Sequence, residues 1–198
     1  MPEIKERPIL FSGAMVRAIL NGSKTVTRRP VKRLALKWLE DGFDPNFVAD
    51  PENSMCPYGN PGDRLWVRET WARVGNVDPG YLTYRATYPS CLPPGLENVP
   101  ADLRDAGERW RPSIHMPRSA CRILLEVTDV RIERLQEIDD YEAIAEGVKT
   151  CEREIDPDFN GHSPAALFSG LWEMINGEGS WNANPWVWVV EFQRIHQH

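Results

Sequence analysis

The side chains best suited to chemistry crowd into positions 24–29, which read Lys-Thr-Val-Thr-Arg-Arg. Lys24 carries an amine that becomes a useful base once its pKa falls toward neutrality. Thr25 and Thr27 carry hydroxyls, which are weak nucleophiles until an adjacent base activates them. Arg28 and Arg29 are permanent cations, and their planar forks fit a phosphate, a carboxylate or the face of a nucleobase. Two such cations beside a lysine also lower its pKa. The spacing adds a constraint. In a flat strand Thr25 and Thr27 share a face, whereas Lys24 and Thr27 lie on opposite sides. Lys24 and Thr27 therefore meet only across a turn or a bulge. The same residue types also describe an exposed basic loop with threonines entering a strand.

The elements that would position this segment are legible around it. Pro8-Ile9-Leu10-Phe11 reads as a first strand, and Ser12 as the N-cap of a helix over roughly 13–21. Met15, Ala18 and Ile19 recur at helical spacing, and Gly22 fits the left-handed residue past the helix end. A remote acid stands at a second helix end. Asp139 and Glu142 form a capping-box pattern and Gly147 is the natural stop, which puts Glu146 at the C-terminal end. A carboxylate there meets the negative end of the helix dipole, and its charged form is disfavoured, which suits a proton donor.

Along the rest of the chain, Arg64–Trp71 reads as a strand with Leu65, Val67 and Glu69 on one face and Trp66, Arg68 and Thr70 on the other. Arg68 and Glu69, with Trp66 beside them, are further candidates for the site. A short strand is predicted at 81–86 and a long one at 121–130. Ser163-Pro164 opens a helix whose stripe of Leu167, Phe168, Leu171, Trp172 and Ile175 predicts a core face. Residues 186–192 are apolar on both faces and predict a central strand. His115, between apolar neighbours, predicts a hydrogen-bonded core histidine. Residues 33–55, 88–112 and 150–162 lack a clear pattern and read as loop insertions in a single domain spanning 1–198.

Composition excludes several classes. No apolar run reaches the ~18 residues of a membrane span, and the charged N-terminus is unlike a signal peptide. A cytoplasmic protein without a membrane partner is the expectation. Cys56, Cys91, Cys121 and Cys151 lie at least 30 residues apart with no CxxC pair, so no metal site or other cofactor is implied. The net charge of -6 argues against bulk nucleic-acid binding. The distribution is uneven, however. Lys24, Arg28, Arg29, Lys32, Arg33 and Lys37 occur without an intervening acid, while acids gather over 133–158. One basic face on an acidic body can still hold a polyanion locally.

Gly22-x-Lys24-Thr25-x-Thr27-x-Arg29 resembles the GxKxxTxR signature of ASCH-domain proteins. Gly62-Asp63-x-Leu65-x-Val67 resembles that family's GD-x-L-x-V strand, and 186–192 its last strand. The larger form, with Trp66–Trp71 and Trp110–Pro117, is similar to proteins often found in phages and prophages. The resemblance implies an α+β fold: a PUA-like small mixed β-barrel with short flanking helices and loop insertions. Some small members are amidohydrolases that deacetylate N4-acetylcytidine with a lysine, a threonine three residues later and a distant glutamate. Carried over, these are Lys24 as base, Thr27 as nucleophile and Glu146 as acid, with Glu69 the next candidate for the acid. Arg28, Arg29, Arg68, Glu69 and Trp66 would contact a modified nucleoside or nucleic-acid substrate. The alternatives are an RNA-binding PUA-like module and a ribonuclease, neither with amidase activity.

Overall fold

A computed structural model describes residues 4–75, 80–96, 99, 103, 109–158 and 160–195. The centre is a five-stranded sheet in the order β1-β3-β6-β7-β2. These strands are β1 (Glu6–Leu10), β2 (Val26–Pro30), β3 (Arg64–Arg68), β6 (Leu124–Arg134) and β7 (Trp186–Ile195). β1 and β3 are parallel and the other neighbours are antiparallel. A separate hairpin joins β4 (Trp71–Val74) to β5 (Tyr81–Tyr84).

β7 lies inside the sheet, between β6 and β2, and both its faces are apolar. Trp188, Val190 and Phe192 pack in one cluster with Met15, Val16 and Ile19 of helix α1 (Gly13–Leu20). Val187 and Val189 pack in a second cluster with Leu167, Phe168 and Trp172 of helix α6 (Pro164–Asn176). Each helix thus covers one side of the same strand, the arrangement that buries a two-faced apolar segment. Ser12 caps α1 by accepting from the Met15 amide at 3.4 Å.

The fold is mixed α+β, and among the described residues its backbone ladder does not close into a barrel. The edge strands nevertheless approach each other. The Arg29 Nη2 of β2 donates to the Leu10 carbonyl of β1 at 2.8 Å, so the sheet curls until one arginine side chain spans its two edges.

Several sequence expectations are corrected. Residues 33–55 are not irregular: they hold helices α2 (Arg33–Glu40) and α3 (Pro45–Ala49). Ala35 and Leu39, four apart, bury one face of α2, and Trp38 stacks on Phe43 and Phe47. The segment read as one strand at 64–71 is two, since β3 ends at Arg68 and Trp71 opens the hairpin. His115 is exposed on a short 3-10 turn, and its neighbour Met116 takes the buried place. Ile175 is 60% exposed, because the apolar stripe of α6 outruns the sheet it covers. Within the predicted insertion at 88–112, residues 97–98, 100–102 and 104–108 lie outside those described. Among the described residues no helix is long and apolar enough to cross a membrane.

Candidate active site

The turn after α1 sets the site. Gly22 is left-handed at φ 81°, and the Ser23 and Lys24 amides both donate back to the Ala18 carbonyl, at 2.9 and 3.0 Å. Lys24 then forms an antiparallel bridge with Glu146, and the Thr25 amide donates to the Ala145 carbonyl at 2.9 Å. The end of helix α4 (Asp140–Ala145) is thereby docked on the α1–β2 turn. Gly147 permits the docking. Its φ is 83°, and a Cβ there would sit 2.8 Å from the Ala18 Cβ and 3.1 Å from the Lys24 Cβ. No L side chain fits that space or that conformation readily.

Lys24 is buried at 3% exposure. Its Nζ donates to the Glu146 carboxylate at 2.6 Å, to the Glu146 carbonyl at 2.9 Å and to the Val26 carbonyl at 2.7 Å. All three ammonium protons are therefore occupied. Burial holds the Lys24 pKa below its usual value against the opposing pull of Glu146, and Arg29 lowers it further. Neighbouring cations were the cause expected from the sequence; burial is the larger one, with Arg29 a smaller contributor. The reach to Val26 brings the ammonium to the residue before Thr27, with no bond to Thr27 itself among the described residues. Lys24 lies ahead of β2, in the bridge, and its side chain folds over the carbonyl that precedes Thr27.

Glu146 is the C-cap of α4 and is 4% exposed. The dipole argument for a disfavoured carboxylate is incomplete here, because the Lys24 ammonium binds both the helix-end carbonyl and the carboxylate. The second oxygen, Oε1, lies 3.7 Å from the Arg28 Nη1, and neither atom has a hydrogen-bond partner among the described residues.

Thr27 is buried on the face of β2 that pairs with Val190. Lys24, Thr27, Arg28, Arg29 and Glu146 all line one cavity of about 60 Å³, walled by Phe11 and Met15 on one side and by α6 residues Phe168 and Trp172 on the other. That is room for about two waters. Among the described residues the Lys24 ammonium makes no hydrogen bond to Thr27. Thr25 is exposed and outside the cavity.

The arginines divide by strand face. Arg28 pairs with Val189 on the α4 side and its side chain is fully buried between Glu133 at 3.1 Å and Glu142 at 2.7 Å. Arg131 closes the same cage, at 2.5 Å from Glu133 and 2.6 Å from Glu142. Arg29 lies on the other face with its guanidinium 5.3 Å from the centre of the Phe11 ring. The remaining candidates sit apart. Arg68 stacks over Trp66 at 5.3 Å and donates to the Ile114 carbonyl, and neither residue lines the cavity. Glu69 is buried in a two-pronged pair with Arg122, both bonds at 2.8 Å, and opens on a different cavity beside Ser12 and Thr70.

Sequence reasoning missed Phe11, Arg131 and the α6 wall. Glu142 was visible only as a capping residue; its second role, as acceptor for Arg28 and Arg131, has no local signature. All four cysteines are unpaired, and burial pushes the Cys151 thiol up to about 11, which makes it a poor nucleophile despite its place near Lys24. Among the described residues no group of three or more His, Cys, Asp or Glu side chains is arranged to hold a metal ion.

The chain matches no family model and no curated protein. Among solved structures it is similar to protein EF3133 of Enterococcus faecalis V583, assigned to the family model DUF984, at 9% identity and a TM-score of 0.38. The match covers 100% of this chain and 88% of that one.

Proposed function

We propose that this protein is an amidohydrolase that removes the acyl group from N4-acylated cytosine nucleosides or a closely related modified base. One observation carries the reading: a buried lysine, ion-paired at 2.6 Å to a buried glutamate, lines the same small cavity as a buried threonine. The GxKxxTxR signature of the PUA-like ASCH proteins supports it, the curled five-stranded sheet serving as an unclosed form of their barrel.

The lysine–glutamate pair holds one mobile proton. Transfer from Nζ to Glu146 Oε2 leaves a neutral amine, which burial favours. The amine releases the Val26 carbonyl and swings about its side-chain torsions to turn its lone pair to the Thr27 hydroxyl, keeping one N–H bond to the Glu146 carbonyl. Thr27 Oγ1 then bonds to the acyl carbon while its proton passes to Nζ. Arg28 lines the cavity, and its Nη1, 3.7 Å from Glu146 Oε1 and without a hydrogen-bond partner among the described residues, is an N–H donor free to turn to the developing oxyanion. Glu146 gives its proton to the exocyclic nitrogen as the C–N bond breaks, and the cytosine amine departs. Water adds to the acyl-threonine ester and gives a proton to Glu146. The Thr27 oxygen leaves with the proton held by Lys24, and the free acid and the starting pair are restored.

Incubation with N4-acetylcytidine, followed by chromatography, tests the reading. Wild-type protein is expected to yield cytidine and acetate, and Thr27→Ala to yield neither. Folded wild-type protein that leaves N4-acetylcytidine and a panel of other N4-acyl cytidines intact rejects it.

A second reading, a nucleic-acid-binding module or a ribonuclease without amidase activity, draws on exposed Lys32, Arg33 and Lys37. It is weakened by Arg28, whose charge is spent on Glu133 and Glu142. Gel-shift and cleavage assays at two salt concentrations separate it: salt-sensitive retention of RNA without deacylation favours it.

A further inference from the structure

The small cavity does not end at its own walls. Arg29, Pro30 and Asn176 line it and also line a second, larger groove of about 680 Å³. The groove lies between the start of α2, in the stretch 33–55 read from sequence as a loop insertion, and the segment 53–58 that follows from it. Its charge is one-sided. Arg29, Lys32 and Arg33 line it, and among the described residues no Asp or Glu does, although the chain carries 29 acids against 23 basic residues. Lys32 and Arg33 are exposed and make no ion pair among the described residues. Half-buried Tyr58 adds aromatic surface to the same wall.

Size and charge together assign the two spaces different parts of a substrate. The inner cavity, with room for about two waters, takes a small acyl group and the edge of the pyrimidine that bears it. It cannot enclose a nucleoside. Whatever is attached to the base must continue past Arg29 and Pro30 into the groove, where unneutralised cations stand over a wall free of carboxylates. A neutral ribose leaves those charges unused, and a phosphate ester on that ribose pairs with them.

We propose that the groove binds phosphate and that the substrate class is therefore an N4-acylated cytosine nucleotide, with the acylated base edge in the inner cavity and the ribose phosphate against Lys32 and Arg33. This rests on the amidohydrolase reading for the identity of the base, and the groove is tested independently of it.

Two measurements decide. The first compares turnover of N4-acetylcytidine with that of its 5′- and 3′-monophosphates. At least one monophosphate is expected to show kcat/KM roughly tenfold or more above the nucleoside, carried by KM, as suits charge-assisted bonds to phosphate. The advantage should shrink between about 50 and 200 mM salt. The second is calorimetric titration with cytidine and with cytidine 5′- and 3′-monophosphates, which needs no catalysis. One monophosphate should bind roughly tenfold tighter than cytidine, and Lys32→Ala with Arg33→Gly should remove the difference. Glycine is the replacement at Arg33 because its φ of 59° is left-handed, which glycine adopts without strain. Equal turnover of nucleoside and nucleotides overturns the proposal and leaves the amidohydrolase reading standing. If no acyl substrate is turned over, that reading falls and the titration still decides the groove. Equal affinity for cytidine and both monophosphates, or a difference that survives the double substitution, overturns it.

Discussion

Lys24 Nζ binds Glu146 twice, at the carboxylate and at the backbone carbonyl, so a single ammonium closes the end of α4 and neutralises the residue that stands there. Breaking a buried pair leaves the surviving charge uncompensated, which costs about 3–5 kcal/mol. Lys24→Met is expected to lower stability by that amount in urea unfolding. Glu146→Gln keeps an acceptor for Nζ and should cost less. The Lys24→Met, Glu146→Leu double variant should be more stable than the sum of the single losses predicts.

The Lys24 pKa, lowered by burial, sets a pH dependence. Folded protein binds fewer protons at Lys24 than unfolded protein does between the lowered value and the ordinary 10.5. Stability contributed by this group therefore rises with pH across that window, and the cost of burying the charge is full below it. The stability gap between wild type and Lys24→Met should widen as pH rises toward the upper bound. Turnover uses the Lys24–Glu146 pair with its single proton on board, so kcat/KM should fall as pH rises through the lowered Lys24 value, where the proton destined for the leaving nitrogen is lost. A flat profile removes Lys24 as the base.

Gly147→Ala should damage activity more than fold. The new methyl would press on Ala18 and on the Lys24 Cβ in a left-handed backbone, and overpacking of this kind costs about 1–3 kcal/mol. Because the contact is with Lys24 itself, turnover should fall steeply under conditions where circular dichroism still reports folded protein.

Arg28 and Arg68 should behave oppositely. Arg28→Met leaves Glu133 and Glu142 facing Arg131 alone, and is expected to cost about 3–5 kcal/mol. Arg28→Lys should recover only part, since one ammonium cannot reach Glu133 and Glu142 as Nη2 does while Nη1 faces Glu146. Arg68→Ala, outside the cavity, should leave the KM for N4-acetylcytidine unchanged. A raised KM would place Arg68 in the substrate's path.

Lys24→Ala and Thr27→Ala should each abolish deacylation, and the double variant should be little worse than either, because members of one catalytic unit do not act additively. Thr25→Ala should retain activity, its side chain being exposed. Multiplying losses in the double variant would mean that the two groups act separately.

Local chemistry was readable in the sequence because local rules specify it. Ser12 and Asp139 are caps, Gly22 and Gly147 are left-handed stops, and the two-faced apolar run at 186–192 requires a central strand. These features also placed Lys24 and Glu146 at the ends of two helices. What no local rule states is which ends meet. The bridge between Lys24 and Glu146 spans 122 residues and depends on a glycine small enough to let α4 touch the α1–β2 turn. The same holds for Arg28. As one member of a basic run it looked available to a ligand, but the pairing of β2 with β7 turns it inward, where Glu133 and Glu142 consume its charge. Sequence determined which side chains with amine, hydroxyl, carboxylate and guanidinium groups lie close together along the chain. Long-range packing decided which of them are buried together, and burial sets the protonation of Lys24.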